Sequence, residues 1–497
     1  MNFHKRDKKV LSKIVLIIIS LLLYNTSILL IKELTDLDEL WNFNFANNMA
    51  NGLIPYKDFN MIQMPLLPML VSIFLKIFRQ EVMVMRFLAV LLITYIEITV
   101  FFILDKLKVK DYIKYLILIF ICFIITPYIA IDYNYLILAI LLTIIYIEIK
   151  SYLRNEKILV YNFKIDFIIG ILAGLCFTSK QSTGMCIILV AVLYKCLEIK
   201  SKKDLIEFIK IVFTRVIGLL IPIVIILIYL IINGAIYDFI SYCILGIKTF
   251  SNYIPYINLI KNSGFFIKIL AVLIPIIVIL NLGLYVKKKN KILFILSVYT
   301  IASMIVIYPI ADNVHFLIGI FPGFISLAYF ANICINKILS NENIKEFLGD
   351  FFKIAILLIS TVCLIYSINI YVKSNKNYEL KHFKFTIMNE NYIKSIKNIG
   401  EYINSSQKKV YILDATASVY MIPIDRYNKD YDMFLKGNLG KDGEEGQIEK
   451  LKNEENAIIL IMNSKYKRNW QNPEKVRSYI INNKEKTGEI GNFEIYE

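Results

Sequence analysis

The sequence predicts an α-helical polytopic membrane protein of about eleven spans with a small C-terminal α/β domain. Three observations predict it. Of 497 residues, 57% are hydrophobic and 19% charged, with a mean hydropathy of +0.59, far too apolar for a soluble globular chain of this size. The apolar residues fall into runs near the ~20 residues needed to cross the hydrocarbon. After Tyr371 these runs stop, and short apolar strands alternate with helical stretches. The division expected along the chain is a membrane domain over residues 1–372, with its first outer loop at 32–82, and an extracytoplasmic domain over 373–497.

The net charge of +16 sits mostly in short linkers between apolar runs, where Lys and Arg set orientation. No nucleic-acid partner is therefore expected. The first run, residues 10–31, follows HKRDKK and is too long for a signal-peptide core, so it reads as an uncleaved anchor with a cytoplasmic N-terminus. Next comes a polar stretch, 36–68, whose acids Asp36, Asp38, Glu39 and Asp58 sit beside aromatics and prolines. The segment 65–78, PLLPMLVSIFLKIF, reaches only about 21 Å as a helix, and we read it as lying in the outer interface. That choice puts the basic linkers at 106–114, 150–157, 200–203, 287–289 and 337–345 on the inside, as orientation by positive charge requires.

Further runs lie near 83–104, 113–130, 133–149, 166–179, 184–198, 208–232, 264–286, 291–309, 313–335 and 352–372. The seven cysteines all fall in apolar segments without paired metal-ligand spacing and read as small core residues. In the tail, helices are expected over 389–404 and from Pro473 to Asn483, and strands over 409–414, 457–462 and 491–497, with 437–446 as a flexible loop.

The outer face then carries the residues that bear chemistry. Asp38 and Glu39 follow the first span, where a carboxylate can take a proton from an incoming hydroxyl or amine; the alternative is a helix N-terminus, capped by Thr35, Asp36 or Asp38. Lys180 and Gln181 lie in SKQSTG, a break between two runs of only about 15 residues, so the lysine calls for an anion such as a lipid phosphate, unless it snorkels. Arg86 opens the second span and can grip phosphate or serve as an anchor. His315 can donate to a phosphate or sugar or be satisfied within a helical hairpin. Asp132, with Tyr128, Tyr133 and Tyr135, can bind sugar or simply anchor at the interface.

An Asp-Glu pair after the first span, then G-x-x-P-Y-x-D-F (Gly52, Pro55, Tyr56, Asp58, Phe59), a proline-leucine helix (Pro65, Leu66), Arg86, and G-x-x-x-G-L-x-x-x-x-K-Q (Gly170, Gly174, Leu175, Lys180, Gln181) follow in order. In these the chain resembles the GT-C membrane glycosyltransferases, particularly the bacterial relatives of the protein O-mannosyltransferases and the lipid A aminoarabinose transferases. The match covers mainly residues 10–200. It implies a polyprenyl-phosphate sugar donor, Asp38 as base with Glu39 beside it, and Lys180 on the donor phosphate; Gln181, Arg86, His315, Asp58, Tyr56 and Asp132 are further candidate substrate contacts. The segment after Asp58 reads NMIQMP and lacks the family's histidine or second proline, and Asp36 competes with Asp38 for the place of the base.

The expected function is inverting glycosyl transfer at the outer face of a bacterial plasma membrane, onto a protein, glycolipid or envelope polymer. No cofactor is implied, and metal dependence stays open. A flippase of lipid-linked sugars and a non-catalytic envelope assembly protein are the alternatives.

Overall fold

The computed structural model describes residues 2–34, 37–249, 253–338, 341–428, 430–454, 456–467 and 472–497. By its internal contacts the chain forms two compact units.

One unit comprises Met1–Ile31, Ala89–Val224 and Tyr253–Ile370 and is helical. All eleven expected runs are helices. Among the described residues, eight helices are long and apolar enough to cross a membrane, and nine if Asn313–Gly319 and Phe321–Ile335, bent by 50°, count as one span. Two others, Phe163–Ser179 and Lys291–Ile307, fall short of the ~20 residues a straight crossing needs. The Glu342–Lys373 helix exposes Phe347, Phe351, Ile354, Leu358, Val362 and Ile365 at helical spacing, an apolar stripe that water would not tolerate and lipid does. Cys122 and Cys176 are buried, whereas Cys196 and Cys334 are exposed; core placement therefore holds for only some of the cysteines, because an apolar run in a span also has a lipid-facing side.

Inside this unit several buried polar and charged residues are paired. Asn25 donates to Thr94 Oγ1 at 3.0 Å and to Glu97 Oε2 at 2.8 Å. Buried Arg215 meets Glu148 and Asp166, each at 2.7 Å, and Lys195 meets Glu148 at 3.0 Å. Each charge thus has a partner that offsets its desolvation.

Gly170 and Gly174, part of the K-Q motif, pack against the Lys202–Ile232 helix, and a Cβ on Gly170 would lie 2.2 Å from the Arg215 carbonyl oxygen. This small-residue crossing lets two backbones meet. Gly170→Ala is expected to destabilise by about 1–3 kcal/mol, read as a lower unfolding midpoint in detergent. Gly283→Ala, whose Cβ meets nothing within 4 Å, should be neutral or stabilising, since alanine favours helix; equal effects of the two would refute the close-crossing account.

The other unit comprises Lys32–Leu88, Ile225–Asn252 and Tyr371–Glu497. The tail contributes a four-stranded sheet, β1 (Lys409–Leu413), β2 (Ala457–Met462), β3 (Lys486–Ile490) and β4 (Phe493–Tyr496), in the order β1-β2-β4-β3. β1 and β2 are parallel, with Val410 opposite Ile458, and the other pairs are antiparallel. Every residue of β2 is buried, as an unbroken apolar strand covered on both faces requires. Tyr411, Leu413, Ile459 and Ile461 pack with Leu451, Val476 and Ile480 from the Gly443–Lys452 and Glu474–Asn483 helices. On the chain's last strand, Phe493 meets Tyr420 edge-on at 5.2 Å.

Two expectations for the tail need correction. Residues 437–446 are not one flexible loop. A helix begins at Gly443, carries Glu444 and Glu445 in its first turn and buries Leu451, so acids at its N-terminus and one apolar anchor outweigh the glycines. The edge strand β3 was not foreseen, because KTGEI is largely exposed and shows no alternation of apolar residues.

The short helix Leu66–Phe78 buries Leu67, Val71 and Leu75 and exposes Leu70, Ile73, Phe74, Ile77 and Phe78. At 13 residues it is shorter than the ~20 a straight crossing needs.

Candidate active site

The Leu37–Ala50 helix is the centre of its unit, buried at every position from Glu39 to Ala50. It ends on a left-handed glycine. Gly52, at φ 89°, donates to Met49 O at 3.1 Å, and Leu53 donates to Asn48 O at 3.0 Å. Only glycine accepts this left-handed closing position without strain. The rest of G-x-x-P-Y-x-D-F folds the following turn. Asp58 accepts from the Ile54 N–H at 2.7 Å, Tyr56 donates to Gln63 O at 2.7 Å, and Phe59 stacks on Phe45 at 5.8 Å. Asp58 and Tyr56, proposed from sequence as substrate contacts, therefore hold the loop's shape.

The two first-turn acids of this helix have different surroundings. Asp38 is exposed. Glu39 is 1% exposed and is clamped by Arg86, which is 2% exposed: Arg86 Nε donates to Oε1 and Nη2 to Oε2, both at 2.9 Å. Arg86 also donates through Nη1 to Lys32 O at 2.7 Å. The arginine fork that the sequence suggested for phosphate is thus engaged by a carboxylate, because the helix brings Glu39 into its plane. The result is a fixed first turn with Asp38 on its solvent side. Asp36 and Thr35 lie outside the described residues, so the choice between Asp36 and Asp38 is not made by geometry.

Farther along the helix, Trp41 donates to Ala415 O at 2.8 Å, and Asn44 donates to Asp432 Oδ1 at 3.3 Å. Asp432 also accepts from Asn428 N at 3.1 Å, and its own N–H donates to Asn60 at 3.0 Å. These contacts tie the first loop to the tail, a partnership across more than 370 residues that no sequence pattern announces. Burial pushes the Asp432 carboxyl up to about 6, against the opposing hydrogen bonds. Its folded-state value exceeds the unfolded one, so this contribution is intact below about pH 4 and is lost as pH rises through about 6, by on the order of 3 kcal/mol. Asp432→Asn is expected to remove that loss and flatten stability between pH 4.5 and 8, measured by chemical unfolding at both values. An unchanged pH slope would sink this account.

In the helical unit, Lys180 stands alone between the Phe163–Ser179 and Gln181–Leu193 helices in extended conformation. The expected six-residue break is thus a single residue, and Gln181 already begins the second helix. Lys180 Nζ donates to Asn134 Oδ1 at 3.0 Å and lies 5.3 Å from the centre of the Tyr133 ring. Asp132 caps the Tyr133–Asn155 helix by accepting from Asn134 N. Tyr135 donates to Tyr128 O at 3.1 Å, and Asn313 donates to Tyr128 Oη at 3.2 Å. His315 Nδ1 is 2.9 Å from Asp312, which also caps that helix. Three turns that the sequence assigned to one face, around residues 128–135, 179–181 and 312–315, are therefore joined within this unit: Lys180 through Asn134, and Asn313 through Tyr128. Sequence reasoning missed Asn134 and Asn313, whose neutral amides give no signal until their partners are placed.

Among the described residues no three His, Cys, Asp or Glu side chains gather as a metal site would need.

No protein-family model matches the chain, and no curated protein sequence matches it. Solved structures do. The oligosaccharyltransferase of Archaeoglobus fulgidus, tethered to an acceptor peptide containing the NVT sequon, aligns with a TM-score of 0.53 and 12% identity over 90% of this chain and 69% of its own. ArnT from Cupriavidus metallidurans, bound to undecaprenyl phosphate, aligns with a TM-score of 0.52 and 9% identity over 97% of both chains. Its apo form aligns equally well, at 8% identity. Identity this low speaks to fold alone, and in fold this multi-pass membrane chain is similar to the oligosaccharyltransferase and to ArnT.

Proposed function

We propose that the chain is a membrane glycosyltransferase that moves a sugar from a polyprenyl-phosphate donor to an acceptor at the outer face of a bacterial plasma membrane. The observation that carries this reading is the end-to-end likeness to ArnT, whose structure holds undecaprenyl phosphate, together with an exposed Asp38 on an otherwise buried loop helix.

In the proposed step the acceptor oxygen or nitrogen attacks the anomeric carbon from the face opposite the phosphate. Asp38 takes the acceptor's proton. The bond between the anomeric carbon and the phosphate oxygen breaks, the electron pair leaves with the lipid phosphate, and the configuration inverts. Lys180 neutralises the departing charge, while Asn134 and the Tyr133 ring hold its ammonium. The Glu39–Arg86 clamp positions the turn that bears Asp38.

The test is transfer from a radiolabelled polyprenyl-phosphate sugar by purified protein in nanodiscs. Lys180→Met is expected to raise the donor KM roughly 10–100-fold, the worth of a hydrogen bond to a charged group. An unchanged KM would remove Lys180 from the donor site, and donor movement across vesicles without transfer would favour a flippase.

A further inference from the structure

The Glu342–Lys373 helix, long and apolar enough to cross a membrane, runs directly into a hairpin closed by an antiparallel bridge between Lys376 and Ile387. Asn377 N donates to Thr386 O at 2.9 Å and Phe385 N to Asn377 O at 2.8 Å. Tyr371 Oη, from the last turn of the helix, donates to Phe385 O at 2.8 Å, and Lys376 Nζ donates to the carbonyls of Tyr371, Val372 and Ser374. The hairpin is therefore a fixed extension of the helix end.

Its side chains divide into two sets. Leu380, His382 and Phe383 are buried, and His382 O accepts from Val82 N at 2.9 Å. Tyr378 and Phe385 instead stand 58% and 47% exposed and meet edge-on at 5.7 Å. Phe385 holds this place at φ 67°, a left-handed position that is an outlier for an aromatic residue. Strain of this kind is kept where it serves a function, and a core gains little from an exposed ring. The charge around the pair is positive. Residues 371–386 include four lysines and one glutamate, and that acid, Glu379, is paired with Lys397. Lys381 is paired with Asp425, while Lys384, whose N–H donates to Glu81 Oε2 at 3.1 Å, directly precedes Phe385, and exposed Lys373 ends the helix. Aromatic rings beside a span settle at the boundary between acyl chains and headgroups, and lysines there extend to lipid phosphate. A zwitterionic headgroup holds them less well, because its own ammonium offsets its phosphate.

We propose that this hairpin is an anchor for anionic phospholipid: Tyr378 and Phe385 enter the boundary region of the bilayer, and Lys373 and Lys384 hold the phosphates of phosphatidylglycerol-type headgroups. The full chain carrying Tyr378→Trp is reconstituted into phosphatidylcholine bilayers with a small share of brominated phosphatidylglycerol or brominated phosphatidylcholine, and its fluorescence is compared with that of the parent and its two native tryptophans. Quenching by both lipids is expected, with a preference of roughly fivefold for phosphatidylglycerol, the worth of one lysine at an anionic surface. Lys373→Gln with Lys384→Gln should abolish the preference and keep the quenching. Ile365→Trp, on the exposed apolar stripe of the helix, should be quenched without preference. Phe385→Gly relieves the left-handed position, so the unfolding midpoint should hold while quenching at position 378 falls. Absence of quenching, with the reporter open to acrylamide, overturns the proposal in favour of a face in water. Equal quenching by the two lipids overturns it as well, as does a preference that survives the lysine substitutions or appears equally at position 365. A lowered midpoint in Phe385→Gly makes the ring part of the fold and likewise overturns the anchor.

Discussion

Asp38→Asn is expected to lower glycosyl transfer by 10²–10⁴-fold, the usual worth of a positioned general base, while the protein stays folded. The substitution keeps the shape of the side chain and removes only its ability to take a proton. Asp38 is exposed in the first turn of the Leu37–Ala50 helix, so the loss in stability is expected to be small, with the helix dipole contributing about 0.3–1 kcal/mol. The measurement pairs the transfer rate with the unfolding midpoint. Full transfer in the variant would take the role of base from Asp38 and favour Asp36, its competitor for that place; loss of rate together with a large loss of stability would mean that the residue acts through the fold.

The second large effect concerns the neighbouring residue. Glu39→Ala or Arg86→Ala alone leaves a charge buried at 1–2% exposure without its bidentate partner, and each is expected to cost about 3–5 kcal/mol. The double replacement Glu39→Leu with Arg86→Met removes both charges and should recover most of that loss, because a buried ion pair gives little net stability over apolar residues of similar size. Unfolding free energies of the two single variants and the double variant form the measurement. Single losses under about 1 kcal/mol would mean that water reaches the pair. Because Arg86 also holds Lys32 O, the double variant should remain folded yet transfer sugar poorly, since the turn bearing Asp38 loses its anchor. This separates stability from positioning: activity recovered in step with stability would leave the clamp a purely structural role.

Adjacent residues of the loop thus have different fates, and the sequence cannot tell them apart. Asp38 and Glu39 look alike as a pair of acids; only the arrival of Arg86, 47 positions away, buries one and leaves the other in solvent. The same holds for the G-x-x-P-Y-x-D-F motif. Its residues resembled a binding loop, but Gly52, Tyr56 and Asp58 close turns through hydrogen bonds within a few residues, so a recurrent spacing reflected local backbone geometry. Gly170 and Gly174 repeat the lesson, since their value lies in the helix they touch.

What the sequence by itself determined is the class of fold and its helical segments. Runs of apolar residues must become helices where no water can satisfy the backbone, and all eleven did. The strands β1, β2 and β4 were legible for a similar reason, since a continuous or alternating apolar pattern has few other uses. What only the tertiary structure decided is which polar residues are spent on the fold and which are left for chemistry. Asp432 meets Asn44, Trp41 meets Ala415, and Lys180 meets Asn134; each of these is a directional contact between distant segments. Hydrophobic burial depends on local composition and can be read along a chain, whereas a hydrogen bond needs its partner placed to within a few tenths of an ångström, and that placement exists only once the chain has folded.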